Sequence, residues 1–212
     1  MNEVLGKYVE ATGGRAALMK LRTRIVKGSR IGADGALVPE EVYQKAPNKL
    51  LVVTRYPENP MRKGFDGTKG WVGDSKGEGL ISVQDAADVE RDADFYKDVE
   101  LGRLYSQMKI AGRKKVGDRQ SFVIAAKSRT GDTEMLYFDE QTGLLIRRYT
   151  EFKIALGSFP SQTDYEDYKE VDGVKVPFTI RWSVPGRTWG RKITEVKHNI
   201  RIDDTDFSQR RP

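Results

Sequence analysis

Residues 176–186, with the sequence VPFTIRWSVPG, alternate apolar and polar side chains up to a Pro-Gly pair. Successive side chains of a β-strand point to opposite faces, so this alternation predicts a strand with one apolar and one solvated face. Its apolar face is predicted to hold Val176, Phe178, Ile180, Trp182 and Val184. Pro185-Gly186 predicts a turn into a second strand of the same kind. The apolar face of that second strand is predicted to hold Val196, His198, Ile200 and Ile202.

Turn signals that contain glycine recur along the chain between runs of β-branched and aromatic residues. They are Asp34-Gly35, Asp66-Gly67, Gly131-Asp132, Thr142-Gly143 and Asp172-Gly173. Glycine, and to a lesser degree Asp or Asn, adopts the positive φ that tight hairpin turns require. Their recurrence predicts a mostly β fold, an antiparallel meander of about ten strands rather than alternating strands and helices. At 212 residues, we expect a single domain over 1–212.

Helical spacing is confined to two regions. Apolar residues at Val4, Leu5 and Tyr8 predict an N-terminal helix that Gly13-Gly14 ends, followed by a second short helix. From Ser82 onward a longer helix is predicted, which Gly112 ends. Its second half carries an apolar stripe at i, i+3, i+4 and i+7, typical of a helix that packs through one face. The stripe consists of Leu101, Leu104, Tyr105 and Met108.

Composition disfavours several classes of protein. The chain has no cysteine, which removes disulfides, zinc–thiolate sites and thiol nucleophiles, and no apolar stretch reaches the ~18 residues that span a bilayer. The net charge is +6, but the basic residues are scattered among 31 acidic ones, whereas phosphate binding favours one positive face. Nucleic acid is therefore not an expected partner. The run Arg113-Lys114-Lys115 either complements a helix dipole or contacts an anionic membrane surface.

Residues that could carry catalysis are few. His198 is the single histidine, and its register with apolar residues indicates a packed, hydrogen-bonded core side chain. The sequence has no Gly-x-Ser-x-Gly nucleophile motif. The acidic clusters at 164–167 and 203–206 lack the alternating spacing and central glycine of a calcium loop. We therefore expect no enzyme activity, no metal and no cofactor.

Large apolar side chains are unusually numerous for so polar a chain. Trp71, which follows the Asp66-Gly67 turn, is expected to point inward. A curved sheet covered by helices would leave an apolar cavity, whereas ordinary core packing explains the same residues equally well. The candidate cavity residues are Trp71, Leu101, Leu104, Tyr105, Met108, Phe178, Ile180, Trp182, Val196 and Ile200.

Four motifs follow one another along the chain. They are an Asp-Gly hairpin followed by Trp within 65–72, an Asp-x-x-Thr-Gly-Leu turn within 138–147, a Tyr-rich strand and Asp-Gly hairpin within 165–178, and an end strand within 198–207. Their order resembles the LolA/LolB-like superfamily of bacterial lipoprotein carriers and related envelope lipid-binding proteins.

The resemblance implies an unclosed antiparallel half-barrel around an apolar cavity, with helices covering its concave face as a lid. A protein of this kind binds an acyl chain of a lipid or lipoprotein without covalent chemistry, as an envelope carrier or sensor. The expected location is the periplasm, with a signal peptide already removed, because residues 1–7 do not resemble one. The alternatives are an accessory domain cut from a longer exported protein, and a basic surface that binds nucleic acid or an anionic membrane.

Overall fold

The computed structural model describes residues 1–128, 131–154 and 157–209. These residues form one sheet of 13 strands, with three α-helices and two single-turn 3-10 helices. In chain order, strands β1 to β13 are Thr23–Ile31, Leu37–Lys45, Lys49–Thr54, Met61–Phe65, Gly70–Asp74, Gly77–Leu80, Tyr105–Val116, Arg119–Ser128, Thr133–Asp139, Leu145–Ile154, Gly157–Val171, Val174–Val184 and Arg187–His198. Helices α1 to α3 are Asn2–Ala11, Gly14–Lys20 and Val83–Ala93, and the 3-10 helices are Leu101–Leu104 and Asp204–Phe207.

The strands lie in the order β6-β5-β4-β3-β2-β1-β13-β12-β11-β10-β9-β8-β7. Every pair of neighbours is consecutive in the chain except β1 and β13, so eleven of the twelve connections join strands that are adjacent in the sheet. The twelfth leads from β6 to β7 and contains α3. Strands β6 and β7 are the two edges, and the sheet does not close into a barrel. The predicted class, a mostly β fold with an unclosed antiparallel sheet, is confirmed.

The turn between β11 and β12 illustrates why the glycine signals predict the meander. Val171 and Val174 face each other across this hairpin, and only Asp172 and Gly173 lie between them. Their φ angles are 52° and 78°. Two consecutive residues with positive φ form a type I′ turn, whose twist matches that of the two strands it joins.

The structure has 13 strands, where about ten were predicted. Strands β4 and β6 are short and contain glycine and charged residues in place of a β-branched run, so neither has a strong strand signal. Strand β7 occupies most of the segment where a helix was predicted.

The prediction of one helix from Ser82 to Gly112 is wrong beyond Ala93. Helix α3 ends there, a 3-10 turn follows, and β7 begins at Tyr105. Tyr105 faces Ser128 and Met108 faces Ala126, with a register shift between them. An extra residue in a β-bulge turns the strand spacing of two into three, which imitates helical periodicity. Gly112, with φ of 119°, lies at a second bulge rather than at a helix end.

The chain divides into two compact units, each with its own apolar cluster. The first unit comprises residues 1–18 and 98–191, and the second comprises 19–97 and the segment from 192 onward. Both contribute strands to the single sheet, and one domain over 1–212 stays a prediction. Within the described ranges, no helix has both the length and the apolar character needed to cross a membrane.

Candidate ligand-binding face

The first unit covers its apolar sheet face with helix α1. We call the buried residues at this place the α1 cluster: Tyr8, Leu101, Tyr105, Ile124, Ala126, Leu136, Phe138 and Leu145. Five half-buried apolar residues pack around it and are called the rim: Val4, Leu5, Leu104, Met108 and Tyr165. The α1 cluster is thus closed at its centre and partly accessible at its edge.

Specific contacts hold the C-terminal half of α1 on the sheet. The ring of Tyr8 meets Phe138 edge to face, with centroids 5.4 Å apart, and its hydroxyl donates to Asp98 Oδ1 at 2.9 Å. The carbonyl of Thr12 accepts a hydrogen bond of 3.0 Å from the Lys175 amide. Just beyond, a side chain at Gly13 would place its Cβ 2.3 Å from the Gly173 carbonyl, so only glycine allows this approach.

The N-terminal half of α1 contributes the rim residues Val4 and Leu5. The helix begins without a side-chain cap at Met1. Helix ends without a cap contribute less to helix stability, by about 0.5–2 kcal/mol. The two halves of α1 therefore differ, with directed hydrogen bonds at one end and apolar packing at the other.

The charge of Asp98 acts on two phenols, of which Tyr8 is hydrogen-bonded to it. Burial, followed by the charge of Asp98, raises the pKa of Tyr8 well above its ordinary value. Burial and the same carboxylate also raise the pKa of Tyr168, whose hydroxyl donates to the Leu145 carbonyl at 2.7 Å. Both phenols therefore stay protonated at physiological pH and act as hydrogen-bond donors rather than as proton acceptors.

A buried carboxylate lies next to the α1 cluster on strand β9. Glu134 is 3% exposed, accepts a hydrogen bond of 2.7 Å from the Tyr105 hydroxyl, and lies 4.0 Å from Arg148 Nε. A buried charge that kept no partner would be strongly destabilising, and this one has a phenol and a guanidinium. The apolar face thus includes one polar position that is satisfied internally.

At the β12–β13 hairpin the first unit carries a stack of aromatic and cationic groups. Trp182 and Trp189 are stacked, with centroids 6.5 Å apart and planes inclined by 18°. Arg191 lies over Trp182 at 5.6 Å and Arg187 over Trp189 at 5.5 Å. We call these four residues the Trp–Arg stack. Cation–π contact orders the guanidinium groups on the indole faces.

Seven of the ten candidate cavity residues lie in the first unit. Leu101 and Tyr105 belong to the α1 cluster, and Leu104 and Met108 belong to its rim, so the structure brings these four together. These four residues belong to a 3-10 turn and to strand β7, not to a helix. The prediction of a helix at 101–108 that forms part of a lid over the sheet is therefore wrong. The other three lie on β12, where Phe178 is buried and Ile180 and Trp182 are half-buried.

Three candidate residues belong to the second unit. Trp71 is 1% exposed, its indole N–H donates to the Phe207 carbonyl at 2.8 Å, and it packs in a cluster with Leu51, Ile202 and Phe207, the Trp71 cluster. Val196 is buried.

Ile200 departs from its predicted place on the inner strand face. Strand β13 ends at His198, Asn199 has φ of 57°, and Ile200 is 42% exposed. A single residue with positive φ breaks the alternation of the strand and turns the following side chain outward. The prediction that Ile200 continues the apolar face is therefore wrong.

His198 is a hydrogen-bonded core residue, as the sequence predicts. It is 8% exposed and its Nε2 accepts a hydrogen bond of 3.2 Å from Arg24 Nε. Arg24 also lies 5.4 Å from the centroid of Phe95. Across the ranges that the structure describes, no three His, Asp or Glu side chains form a group that could hold a metal ion.

Two surface clefts lie away from all ten candidate residues. One of about 460 Å3 in the first unit is lined in part by Met135, Tyr149 and Glu151. The other, of about 490 Å3 in the second unit, includes Tyr56 and Met61. Neither borders the α1 cluster or the Trp–Arg stack.

Several residues of the face escape sequence reasoning. Arg191 has no distinctive local pattern, Tyr165 is identified only as part of the Tyr-rich strand motif, and Tyr8 only as part of an amphipathic helix. A usable signal exists for Trp189, because it lies as far after the Pro185-Gly186 turn as Trp182 lies before it. Residues equidistant from a two-residue turn face each other across the hairpin.

Comparison with solved structures identifies the fold. The chain is similar to a LolA superfamily protein from Nitrosomonas europaea, with a TM-score of 0.66, 15% identity and coverage of 98% of this chain and 97% of that one. It is similar to a DUF1329 family protein from Desulfovibrio piger, with a TM-score of 0.67, 10% identity and coverage of 98% and 96%. It is also similar to a domain of an outer membrane lipoprotein-sorting protein from Vibrio parahaemolyticus, with a TM-score of 0.57, 11% identity and coverage of 88% of this chain and 87% of that one.

These likenesses establish that the chain has the LolA-like fold, which confirms at the level of fold the resemblance read from the sequence. No protein-family model matches the sequence. No curated protein matches it either.

Proposed function

We propose that the protein binds an acyl chain of a lipid or lipoprotein, without catalysis, on the α1 cluster and its rim. The observation that carries this proposal is the rim itself: five apolar side chains are neither fully buried nor exposed at the edge of a helix-covered apolar face. Half-buried residues lose few packing contacts when the helix shifts. They would gain contacts with an acyl chain placed between the helix and the sheet.

The energetics favour a ligand with a long apolar chain. Each buried methylene contributes ~0.8 kcal/mol, so twelve of them supply ~10 kcal/mol before ordering costs are subtracted. That gain must exceed the apolar contacts that the N-terminal half of α1 gives up. We therefore propose that this half moves, while the hydrogen bonds of Tyr8 and Thr12 keep the C-terminal half in place.

The role proposed for the protein is that of a carrier or sensor in the periplasm of a bacterium. The support for this role is the fold shared with a lipoprotein-sorting protein domain. The alternative of an accessory domain in a larger envelope protein uses the same face and the same ligand.

Titration with a fluorescent fatty acid tests the proposal. The variant Leu104→Ser/Met108→Ser makes two rim residues polar, and we expect about a tenfold loss of probe affinity with the fold retained. The matched control is Leu37→Ser/Leu80→Ser, which changes two residues that are 65% and 67% exposed in the second unit.

Two outcomes would refute binding at the rim. One is the absence of probe uptake by the unaltered protein. The other is global unfolding of the Leu104→Ser/Met108→Ser variant under conditions where the control stays folded, since those residues would then be ordinary core. Circular dichroism of both variants decides between lost binding and lost structure.

Edge strand β7 supports a second proposal, transient contact with an anionic membrane surface. Over Tyr105–Val116 it carries no acidic residue, and its four basic residues, Lys109, Arg113, Lys114 and Lys115, are all exposed. Each basic residue near an anionic bilayer contributes about 1 kcal/mol. The variant Lys114→Gln/Lys115→Gln should weaken sedimentation with phosphatidylglycerol vesicles, whereas Lys69→Gln/Lys76→Gln should leave it unchanged. Equal sedimentation of both variants would refute the contact.

A further inference from the structure

The Trp–Arg stack lies on the same side of the sheet as the α1 cluster. Trp182 and Ile180 are two residues apart on β12 and therefore share a face. Ile180 is directly opposite Tyr165 on β11, and Tyr165 belongs to the rim of the α1 cluster. Since Trp189 stacks on Trp182 and Arg191 lies over it, these groups continue that face toward the tip of the hairpin.

Along this face the character of the side chains changes from apolar to amphipathic. Phe178 is buried, Ile180, Trp182 and Trp189 are half-buried, and Arg187 is exposed. An indole combines a large apolar surface with an N–H donor, which suits it to a boundary between hydrocarbon and water. Two indoles placed where a buried face becomes accessible mark such a boundary.

Across residues 173–194, the charged side chains of the β12–β13 hairpin all have one sign. This segment contains five basic residues and no acidic one. Arg181, the one arginine on β12, forms an ion pair with Glu166. Arg187 and Arg191, which belong to β13, lie over the two indoles of the stack. Guanidinium groups bind phosphate oxygens through paired N–H donors in a planar fork.

Stabilisation of the hairpin explains part of this arrangement. A cross-strand pair of tryptophans stabilises two neighbouring strands, and the Ser183 and Thr188 hydroxyls, 3.2 Å apart, support the same pairing. Hairpin stability alone would be served equally by a pair on the solvated face. The position next to the rim, together with two arginines, indicates a ligand that has an apolar part and an anionic part.

We propose that the Trp–Arg stack binds the phosphate headgroup of an anionic phospholipid whose acyl chains lie on the α1 cluster face. The inference rests on the proposed acyl binding and adds the class of lipid. Arg187 and Arg191 contact the phosphate, and Trp182 and Trp189 pack against the glycerol and the first methylenes of the chains.

The first test compares phosphatidylglycerol with diacylglycerol of the same chain length, which lacks the phosphate, both titrated as monomers. We expect the unaltered protein to prefer the anionic lipid by about tenfold, because one or two charged hydrogen bonds distinguish the headgroups. Arg187→Gln/Arg191→Gln should abolish this preference and leave the affinity for diacylglycerol within about twofold. The control Lys69→Gln/Lys76→Gln removes two exposed positive charges of the second unit and should keep the preference.

The second test locates the headgroup boundary by fluorescence. Phosphatidylglycerol brominated near the carbonyl end of its chains should quench tryptophan emission more than lipid brominated near the chain terminus. The variant Trp182→Phe/Trp189→Phe should lose this quenching, since the remaining Trp71 is buried in the second unit.

The outcomes separate this inference from the function on which it rests. If neither lipid binds, both fail. If both lipids bind equally and Arg187→Gln/Arg191→Gln changes nothing, acyl binding stands and the headgroup site is refuted. Full competition by inorganic phosphate at the lipid's own concentration, or binding to intact vesicles without uptake of monomers, would also refute it.

Discussion

The Trp71 cluster and the α1 cluster combine an aromatic centre with a hydrogen bond, yet they are closed in different ways. In the second unit Phe207 is fully buried, and its carbonyl accepts the N–H bond of the equally buried Trp71. In the first unit a single helix covers the sheet through Tyr8, and five residues around it are only half-buried. Half-buried apolar residues also pack around the Trp71 cluster, namely Ile25, Tyr43 and Val53. The two clusters differ in the hydrogen bond at their centre, which is buried between Trp71 and Phe207 but only partly buried between Tyr8 and Asp98.

Replacing Trp71 with alanine should have the largest effect. The change leaves a cavity at a fully buried position and leaves the Phe207 carbonyl without its donor, so we expect the free energy of unfolding to fall by about 3–5 kcal/mol. Urea denaturation of Trp71→Ala and of the unaltered protein measures this difference in free energy. Trp189→Ala, at a half-buried position, is the matched comparison and should lower the free energy of unfolding clearly less than Trp71→Ala does. Equal losses would contradict the difference in burial between Trp71 and Trp189.

Replacing Tyr8 with phenylalanine should have an intermediate effect. The ring contact with Phe138 remains, but Asp98 loses a hydrogen bond, which should cost about 1–2 kcal/mol. Tyr149→Phe is the control, because its hydroxyl bonds to Glu151 near the surface. We also expect Tyr8→Phe to speed the exchange of a bound fatty-acid probe. An unchanged exchange rate would show that α1 does not control access.

The raised pKa values of Tyr8 and Tyr168 predict a pH dependence of stability. Unfolded tyrosine ionises near pH 10, whereas these phenols stay protonated in the folded protein. Above about pH 10 the unfolded state therefore releases protons that the folded state retains, and stability falls as the pH rises. The free energy of unfolding, measured at several pH values across that range, should fall less steeply with pH for Tyr8→Phe than for the unaltered protein. Identical slopes would contradict the burial of this hydroxyl.

The smallest effect is expected at Asp204, an exposed residue of the second unit. Hydrogen bonds from Lys45 and then Lys49 lower the pKa of Asp204, but this carboxylate is solvent-exposed and screened. Asp204→Asn should leave the melting temperature unchanged within error, even though the residue is three positions from Phe207. A clear decrease would show that this ion pair helps to seal the Trp71 cluster.

The sequence predicts the parts of this fold that depend on local chemistry. The hairpin at Asp172-Gly173, the alternation along β12 and the N-terminal helices follow from φ preferences and side-chain periodicity, and all three are present. The helix predicted at 101–108 is not, because a bulge near Tyr105 reproduces a helical spacing within a strand. Periodicity identifies which residues share a face but not which backbone brings them there.

The candidate site was predictable only in part. Leu101, Leu104, Tyr105 and Met108 do lie together, since their shared apolar character survives the change from helix to strand. Contacts such as Tyr8 with Asp98 join residues 90 positions apart, and no local pattern predicts them. At Ile200, by contrast, a local pattern was present and gave the wrong result, because the positive φ of Asn199 ends the regular alternation of the strand.

Photolabelling with a fatty acid that carries a diazirine at its chain end tests the central claim most directly. Mass spectrometry of the labelled protein should locate the label on the rim, at Val4, Leu5, Leu104, Met108 or Tyr165, and an excess of unlabelled fatty acid should suppress it. Label spread over exposed apolar residues such as Leu37 and Leu80, or concentrated in the Trp71 cluster, would contradict acyl binding beneath α1.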